Sequence, residues 1–435
     1  MTVGRRGFPL LALLALAAAT SPPAGADEPP LERAELWRRA RLEKAQRTRA
    51  ESQTFLERTI LSIEKAERPS LFDWNVAGFY PRFESIASGS RTAAGVRLWR
   101  PEIGGSPIGV HGSAFHSLRG YQLYELQAGL IPHTAGRFPL RSTKGDDVYE
   151  VAAWRPGVSR LTLYASGRHR DYPREAFYGL GAGSQEEDRT SFRFRDTTLE
   201  AVAGYQLARR LAVQLRAGYA TPAIRPGKET GVPTTQERFD DGSAPGLSEQ
   251  PDFLYLTTLL LFDGRDEPGN PHKGGLLAAS LSRFDDRDSR AFAFHRLAMD
   301  GRGYIPLGST QRVLALRALI SRDEAGDGQR VPFYMQESLG GSHTLRGYQN
   351  FRFRGEKILL LQAEYRWEAV PAVELALFVD GGQALRAGED FDLGDLETDY
   401  GFGIRLKRNT GLIARLDVAR SGEDRRVLLR FGPSF

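Results

Sequence analysis

The stretch "ILLLQAEYRWE", residues 358–368, decides the fold because two kinds of side chain alternate along it with a period of two. The apolar set is Leu359, Leu361, Ala363, Tyr365 and Trp367, and the polar set is Gln362, Glu364, Arg366 and Glu368. Successive side chains of a β-strand point to opposite faces, so the segment predicts a strand with one apolar and one charged face. Strands of soluble β-sandwiches usually have about 5 to 6 residues. The greater length here favours a membrane-spanning strand.

The same alternation recurs in sixteen segments between residues 91 and 435. They lie near 91–100, 107–118, 120–131, 147–156, 159–170, 190–207, 210–220, 251–264, 274–285, 290–305, 311–322, 356–369, 372–385, 399–408, 411–421 and 426–435. Long connections alternate with short turns, as in outer-membrane barrels, whose strand number is even. We therefore predict an all-β fold, a sixteen-stranded antiparallel transmembrane β-barrel with a short N-terminal helical segment.

The last predicted strand carries Phe431 and the terminal Phe435 on its lipid face. Such an aromatic end is typical of strands that are read by the outer-membrane assembly machinery. A core strand that ends in phenylalanine by chance is the alternative. We interpret Phe431 and Phe435 as a C-terminal assembly signal.

Residues 1–26 predict a secretory signal peptide. Arg5 and Arg6 form a positive start, an apolar run follows from Phe8 to Ala19, and small residues precede Asp27. The apolar run is shorter than the ~20 residues that a spanning helix needs, which disfavours a membrane anchor. Signal cleavage and the predicted barrel together indicate the outer membrane of a Gram-negative-type bacterium.

Residues 27–70 predict a periplasmic amphipathic helical segment, because apolar residues recur at three- and four-residue steps among Glu, Arg, Lys and Gln. Residues 71–90 are predicted to be a linker, and the barrel is expected to cover residues 91–435. Two interpretations of the helical segment stay open. It is either a solvated spacer or an element that binds a partner or plugs the mouth of the barrel.

Composition excludes several other classes of protein. The chain has 435 residues, no cysteine and a formal net charge of +5. Disulfides and thiolate metal sites are therefore absent, and the scattered basic residues give no nucleic-acid footprint. The sequence contains no G-x-S-x-G nucleophile motif, no H-E-x-x-H metalloprotease motif, no Walker loop and no dinucleotide-binding fingerprint. We therefore expect no catalytic residue, no metal and no cofactor. His111 and His116 are predicted to be strand residues, while Ser338 and His343 lack an acid at motif spacing.

Three motifs follow one another in the second half of the chain. The loop "GGSHTLRGYQNFRFRG", residues 340–355, contains the tetrapeptide LRGY and lies between the eleventh and twelfth predicted strands. The thirteenth strand contains "FVDGG", and "DGRDEPGNPHKGG", residues 263–275, forms an earlier turn. This set resembles the outer-membrane assembly-factor superfamily, the bacterial surface antigen barrels. That superfamily includes the insertase of the barrel assembly machinery, the translocation-and-assembly-module barrel and the two-partner-secretion transporters.

The resemblance implies two groups of site residues. In the family, the arginine of a [VL]RG[FY] loop tip folds back into the barrel and meets an aspartate of an F-x-D-x-G strand motif. The loop-lock group in this sequence is Arg346, Gly347, Tyr348, Glu364, Phe378, Asp380 and Gly382. The periplasmic-turn group is Asp263, Arg265, Asp266, Asn270, Pro271 and Gly274.

Physical reasoning from the residues supports the first group. A guanidinium stays charged and offers five donors, so Arg346 can bind more than one carboxylate in a partly dehydrated lumen. Strand parity turns Asp380 and Glu364 inward. The alternative is a solvated arginine in a mobile loop.

The resemblance implies a barrel that assists insertion or translocation of proteins or lipids at the outer membrane. The alternative is a loop-plugged passive pore, or a barrel subunit of an envelope complex. The best-known relatives carry polypeptide-transport-associated domains before the barrel, whereas residues 27–90 predict only helix and linker. Expected partners are outer-membrane lipids, the barrel assembly machinery during biogenesis and a periplasmic protein bound through residues 27–68. Nucleic acid is not expected.

Overall fold

The computed structural model describes residues 77–87, 89–100, 102–131, 137–141, 148–152, 160–267, 270–370, 372–408 and 411–431. All of them belong to one compact unit, Pro69–Phe435. The predicted signal peptide, residues 1–26, and the predicted helical segment, residues 27–70, lie outside the described residues. No helix within the described ranges is long and apolar enough to cross a membrane.

Sixteen strands form one antiparallel sheet, and their order in the sheet follows their order in the chain. They are β1 (Phe79–Glu84), β2 (Ala93–Arg100), β3 (Gly109–Ser117), β4 (Gln122–Leu130), β7 (Leu161–Phe177), β8 (Thr190–Ala208), β9 (Leu211–Pro226), β10 (Phe253–Asp263), β11 (Gly274–Asp286), β12 (Phe294–Leu307), β13 (Ser309–Ala325), β16 (Lys357–Val370), β17 (Val373–Leu385), β18 (Glu397–Arg408), β19 (Gly411–Arg420) and β20 (Arg425–Phe431). Two further pairs, β5 (Arg137–Arg141) with β6 (Val148–Ala152) and β14 (Glu337–Leu339) with β15 (Phe353–Gly355), form small sheets of their own. One short helix, α1 (Thr235–Arg238), lies in the loop after β9.

The faces of the sheet follow the alternation of the sequence. On β17, Leu375 and Leu377 are exposed, whereas Glu374, Phe378 and Asp380 are buried. A large apolar outer face is unfavourable in water and suits the hydrocarbon of a bilayer. The polar inner face is buried because the chain itself fills the space inside, as described below for the loop before β16.

The two ends of the sheet differ. At one end, β8 and β9 are joined by residues 209–210 and β12 and β13 by Gly308 alone. Several long connections, including residues 227–252 and 326–356, lie at the other end, whereas the long connection between β4 and β7 lies at the short-turn end. The strands β7, β8 and β9 have 17, 19 and 16 residues. Because a spanning strand needs about 9–11 residues, these three extend beyond a bilayer, and the register with β4 shows that β7 does so at the long-loop end.

An apolar cluster packs the long-loop ends of several strands together. Phe177 and Phe192 are fully buried there against Phe333, with ring centroids 4.8 and 5.0 Å from that of Phe333. Tyr121 and Tyr172 extend the same cluster towards β4. The long loops are therefore a packed cap, held by a core of their own.

The predicted strand number is confirmed, but two strands differ from the prediction. The first strand, β1, lies inside the segment 71–90 that was predicted to be a linker, and the barrel therefore begins before residue 91. Pro81 made this strand hard to recognise in the sequence. Proline is tolerated near strand ends and in edge strands, but it weakens the sequence pattern that predicts a strand. The predicted strand at 147–156 is also wrong as a barrel strand, because β6 pairs with β5 in a separate hairpin. Alternation identifies a strand and does not say which sheet the strand joins.

Candidate functional site

The loop between β13 and β16, residues 326–356, is called the lock loop. The short β14–β15 pair brings its two ends together. Between them, Gly340 and Gly341 have φ of +111° and +96°, values that suit glycine. A Cβ on Gly340 would lie 2.1 Å from the carbonyl oxygen of Gln349. The two glycines therefore permit the tight turn that sends the LRGY tetrapeptide into the barrel.

Arg346 lies at the tip of the lock loop and is 1% exposed. Its Nε and Nη2 donate to the two oxygens of Asp380 at 2.6 and 2.7 Å, and its Nη1 donates to Glu364 at 2.8 Å. The guanidinium carbon is 3.4 Å from the centroid of the Phe378 ring. Arg346 thus contacts two carboxylates and one aromatic face at once, the kind of geometry that a planar guanidinium provides.

The two carboxylates have different surroundings. Glu364 also accepts from Nε of Arg366 at 2.7 Å and from Nη2 of Arg405, so three guanidinium groups surround it. Asp380 accepts from the forked Arg346 and, at 3.1 Å, from the side-chain amide of Gln362. Both carboxylates are fully buried. Asp380 therefore depends on Arg346 for its charge compensation more than Glu364 does.

The backbone of the lock loop is also held by the barrel wall. The carbonyl oxygens of three successive residues, 342 to 344, each accept a hydrogen bond from a wall side chain. Arg415 donates to the first at 2.7 Å, Arg317 to the second at 3.0 Å and Gln362 to the third at 2.8 Å. Buried carbonyls need such partners. These contacts could not be predicted from the sequence, because the donors lie on three different strands.

The residues that flank Arg346 explain the rest of the tetrapeptide. A Cβ on Gly347 would lie 2.6 Å from Cβ of Asp399 and 2.9 Å from Cβ of Ser421, so only glycine fits. The hydroxyl of Tyr348 donates to Glu397 at 2.9 Å, and its ring packs edge-on against Phe353.

Gly382 and Leu345 place the apolar side of the tip against the wall. A Cβ on Gly382 would lie 2.8 Å from the side chain of Leu339 and 2.9 Å from a wall carbonyl. Its absence lets Leu345 and Leu339 pack directly on β17, beside buried Ile358 and Leu360. The loop-lock group is thus brought together in full by the structure.

Burial and charge act in opposite directions on the loop tip. Burial alone would lower the pKa of Arg346, but the carboxylates of Asp380 and Glu364 outweigh it and raise that pKa. Burial, with Glu397 next in size, raises the pKa of Tyr348. Both groups therefore keep their protons throughout the physiological range, and the lock-loop tip stays a cation beside a neutral phenol.

Two arginines after the tetrapeptide also connect the lock loop to the cap. Arg352 donates to Ser184 through Nη1 and Nη2 at 3.0 and 2.9 Å. The carbonyl oxygen of the fully buried Arg354 accepts from the N–H of Gly181 at 2.8 Å, and its guanidinium donates to the carbonyl of Phe333 within the loop at 2.8 Å. Burial lowers the pKa of Arg354, and Glu175 and Glu337 offset this only in part. The "FYGLGAGS" stretch, residues 177–184, is the partner segment. The glycine-rich composition of this stretch was the sequence feature that could have indicated a close contact here.

The periplasmic-turn group forms a separate structure between β10 and β11. Asp263 pairs with Arg265 through two bonds of 2.9 and 3.0 Å. One oxygen of Asp266 accepts the backbone N–H groups of residues 267, 272 and 273. Asn270 and Pro271 are buried. Gly274 has φ of +94°, and a Cβ there would lie 2.2 Å from a carbonyl oxygen of the opposite arm. The group closes a turn at the short-turn end and does not join the lock-loop site.

The predicted assembly signal is described only in part. Phe431 ends β20, where it pairs with Ala414 of β19, and Phe435 lies outside the described residues. Val427 and Leu429 of the same strand are exposed, in agreement with the predicted lipid-facing parity. Within the described residues, no group of three or more His, Asp or Glu side chains is placed to hold a metal ion.

Comparison with known proteins agrees with this architecture. One similar solved structure is BamA from Haemophilus ducreyi lacking POTRA domains 1–3, at 14% identity and a TM-score of 0.57, covering 82% of this chain and 70% of that one. CdiB from Escherichia coli has 14% identity and a TM-score of 0.47, covering 81% and 58%. CdiB from Acinetobacter baumannii has 13% identity and a TM-score of 0.43, covering 78% and 53%. This chain thus spans little more than half the length of either CdiB structure. The BamA likeness supports the barrel fold.

No curated protein sequence matches the chain significantly. The family model of the Omp85 superfamily domain matches residues 163–431, more than half of the chain. This match covers the strands from β7 onward, the lock loop, both carboxylates and the turn between β10 and β11. Members of this family are outer-membrane β-barrels of Gram-negative bacteria. The chain belongs to the Omp85 superfamily, and the outer membrane is its location.

Proposed function

We propose that this barrel assists the insertion or translocation of proteins or lipids at the outer membrane. The observation that carries the proposal is the lock loop, docked inside an Omp85 barrel by Arg346 on Asp380 and Glu364. The likeness to BamA supports the fold only, so the client and the direction of transport are part of the proposal. No catalytic step is assigned to the chain.

The Arg346 contact gives the proposed activity a physical basis. The lock loop fixes the wall strands β16 and β17 from inside, through charges that water would weaken if it entered. A barrel held in this way can deform elsewhere in its wall and keep these strands together. We infer that the loop-docked wall is the rigid part of the barrel, against which other strands move during transport.

A second candidate function is a loop-plugged passive pore or a barrel subunit of a larger envelope complex. The packed cap favours it, because the ring of Phe333 in the lock loop packs directly on the rings of Phe177 and Phe192 at the long-loop ends of β7 and β8. Such a cap would leave little conductance. The two candidates therefore differ in what they predict for clients rather than for ions.

Reconstitution distinguishes the two candidates. The purified barrel is placed in liposomes, and the folding of an unfolded outer-membrane barrel protein is followed by its gel mobility before and after heating. Transfer of a fluorescent phospholipid and ion conductance are measured on the same liposomes. Liposomes with a passive porin and empty liposomes are the controls. Faster client folding or lipid transfer than in both controls supports the proposal. Client folding and lipid transfer that are no faster than in both controls contradict it and favour the plugged pore or complex subunit, whatever the conductance.

The proposed partners follow from the same reasoning. Outer-membrane lipids would surround the apolar outer face, and the barrel assembly machinery would read Phe431 and Phe435 of the predicted assembly signal. A periplasmic protein would bind residues 27–68. Co-purification with the full chain, compared with a chain that lacks residues 27–68, tests the last of these. Equal recovery of periplasmic proteins with both chains would leave those residues as a spacer.

A further inference from the structure

The last hairpin of the sheet, β19–β20, contacts the lock loop through its turn, residues 421–424. The hydroxyl of Ser421 donates to the carbonyl oxygen of Gly347 at 3.0 Å. The side-chain amide of Gln349 reaches Asp424 at 3.4 Å. Nε of Arg352 donates to Glu423 at 2.9 and 3.0 Å, and the pair has a closest approach of 2.7 Å. These three contacts join residues 347–352 of the lock loop to the turn of the hairpin.

Two further contacts extend this surface to both strands of the hairpin. Arg426 of β20 donates to the carbonyl oxygen of Tyr348. Arg415 of β19 donates to the carbonyl oxygen of Ser342. The loop residues that contact the turn and β20 are 71 to 78 positions away from their partners in the sequence. The lock loop therefore contacts the hairpin at its turn and along both of its arms.

Burial and charge make these contacts more than a surface association. Arg352 is 3% exposed, and the side chain of Glu423, in an exposed turn, is 23% exposed. The guanidinium of Arg352 lies 4.5 Å from the ring centroid of Phe353, and packing on this ring restricts the orientation of the guanidinium. Towards the turn, the loop contributes the guanidinium of Arg352, the amide of Gln349 and the carbonyl oxygen of Gly347, and the turn contributes two carboxylates and a hydroxyl. Charge-assisted bonds in such partly dehydrated places are stronger than exposed ion pairs.

We propose that the lock loop is a latch for the last hairpin, and that Arg352 with Glu423 is the contact on which the latch depends. β20 stands last in the order of the sheet, where its described pairing is with β19. The loop adds a second support at the turn and joins the position of β20 to the docking of Arg346. Release of the loop therefore frees the hairpin, and a hairpin that moves pulls on the loop. The inference does not depend on what the barrel transports.

Arg352 has two arms, and the experiment uses this. One arm binds Glu423 of the hairpin turn and the other binds Ser184 of the cap. Glu423→Ala removes the hairpin arm and leaves the cap arm in place. We expect this variant to fold, because the Glu423 side chain is partly exposed in a turn. Arg352→Ala removes both arms. Arg238→Ala is the matched control, because Arg238 also bridges two cap segments, with a bond of 2.7 Å to the carbonyl of Glu187, away from the hairpin.

Hydrogen exchange is measured by mass spectrometry on the folded full chain in detergent micelles. We expect Glu423→Ala and Arg352→Ala each to speed amide exchange in residues 425–431 about tenfold, which corresponds to about 1.4 kcal/mol. The double variant should add little to either, because both changes remove one contact. Arg238→Ala should leave residues 425–431 unchanged. The latch is refuted if exchange there is unchanged in Glu423→Ala, or if it rises equally in β12, since an equal rise means general loosening of the sheet.

Discussion

Replacing Arg346 with alanine tests whether the buried charges or the apolar contacts hold the lock loop in the barrel. The variant removes three charge-assisted hydrogen bonds and leaves two fully buried carboxylates behind. Glu364 keeps Arg366 and Arg405, so the loss falls mainly on Asp380. Removing one partner of a buried ion pair costs about 3–5 kcal/mol. We expect a loss of that size in the free energy of loop docking.

Hydrogen exchange of residues 340–350 is the assay, because local opening of the loop exposes these amides. A loss of about 3–5 kcal/mol corresponds to exchange that is roughly 150- to 5,000-fold faster. Limited proteolysis of residues 326–356 in detergent gives a second readout. Arg302→Ala is the matched control, since Arg302 is a buried luminal arginine whose partner Asp300 retains Arg317. The control should change the loop little.

A rescue variant separates the charge from the shape of the side chain. Adding Asp380→Asn to Arg346→Ala removes the uncompensated carboxylate and should restore about 1–3 kcal/mol of docking. Arg346→Lys keeps the charge and loses the fork, so its effect should fall between those of alanine and arginine. Unchanged exchange and unchanged proteolysis in Arg346→Ala would refute the reasoning. The loop would then be held by its apolar side and backbone contacts alone.

Three further variants are expected to act through named contacts. Gly347→Ala places a methyl group 2.9 Å from Cβ of Ser421 and should weaken loop docking by about 1–3 kcal/mol, seen as faster proteolysis of the loop. Tyr348→Phe loses the bond to Glu397 and should cost about 1 kcal/mol in the same assay, with the folded yield unchanged. Gly274→Ala should instead lower the folded yield and leave the loop alone, because its φ of +94° and crowded position belong to the turn between β10 and β11.

The barrel could be predicted from the sequence because a single physical rule governs its wall. Side chains of a strand alternate between lipid and lumen, so parity alone assigns Leu377 and Asp380 to opposite faces. The rule fails where a strand is short or contains proline, as in β1, and it does not tell a wall strand from a hairpin such as β5–β6. Sheet membership depends on tertiary pairing, which local pattern does not encode.

The site could be predicted only in its centre. Parity turned Glu364 and Asp380 inward, and the resemblance supplied Arg346 as their partner. The contacts of Arg352 could not be found in this way, because its partners Ser184 and Glu423 are 168 and 71 residues away. They depend on the loop conformation, which the positive φ of Gly340 and Gly341 permits. Local sequence shows that such a turn is allowed and does not show what it meets.

The hydrogen bonds to the loop backbone change how movement of this barrel is to be understood. Arg415, Arg317 and Gln362 donate to three successive carbonyls of the loop, and these groups would need new partners if the loop left the lumen. Undocking would therefore uncover unpaired donors on β13, β16 and β19 as well as the carboxylates. Water can replace those bonds only if it enters the lumen. Movement during transport is thus expected to occur first in strands that the loop does not contact. Movement of the last hairpin requires the loop contacts of Glu423, Ser421 and Arg415 to break as well.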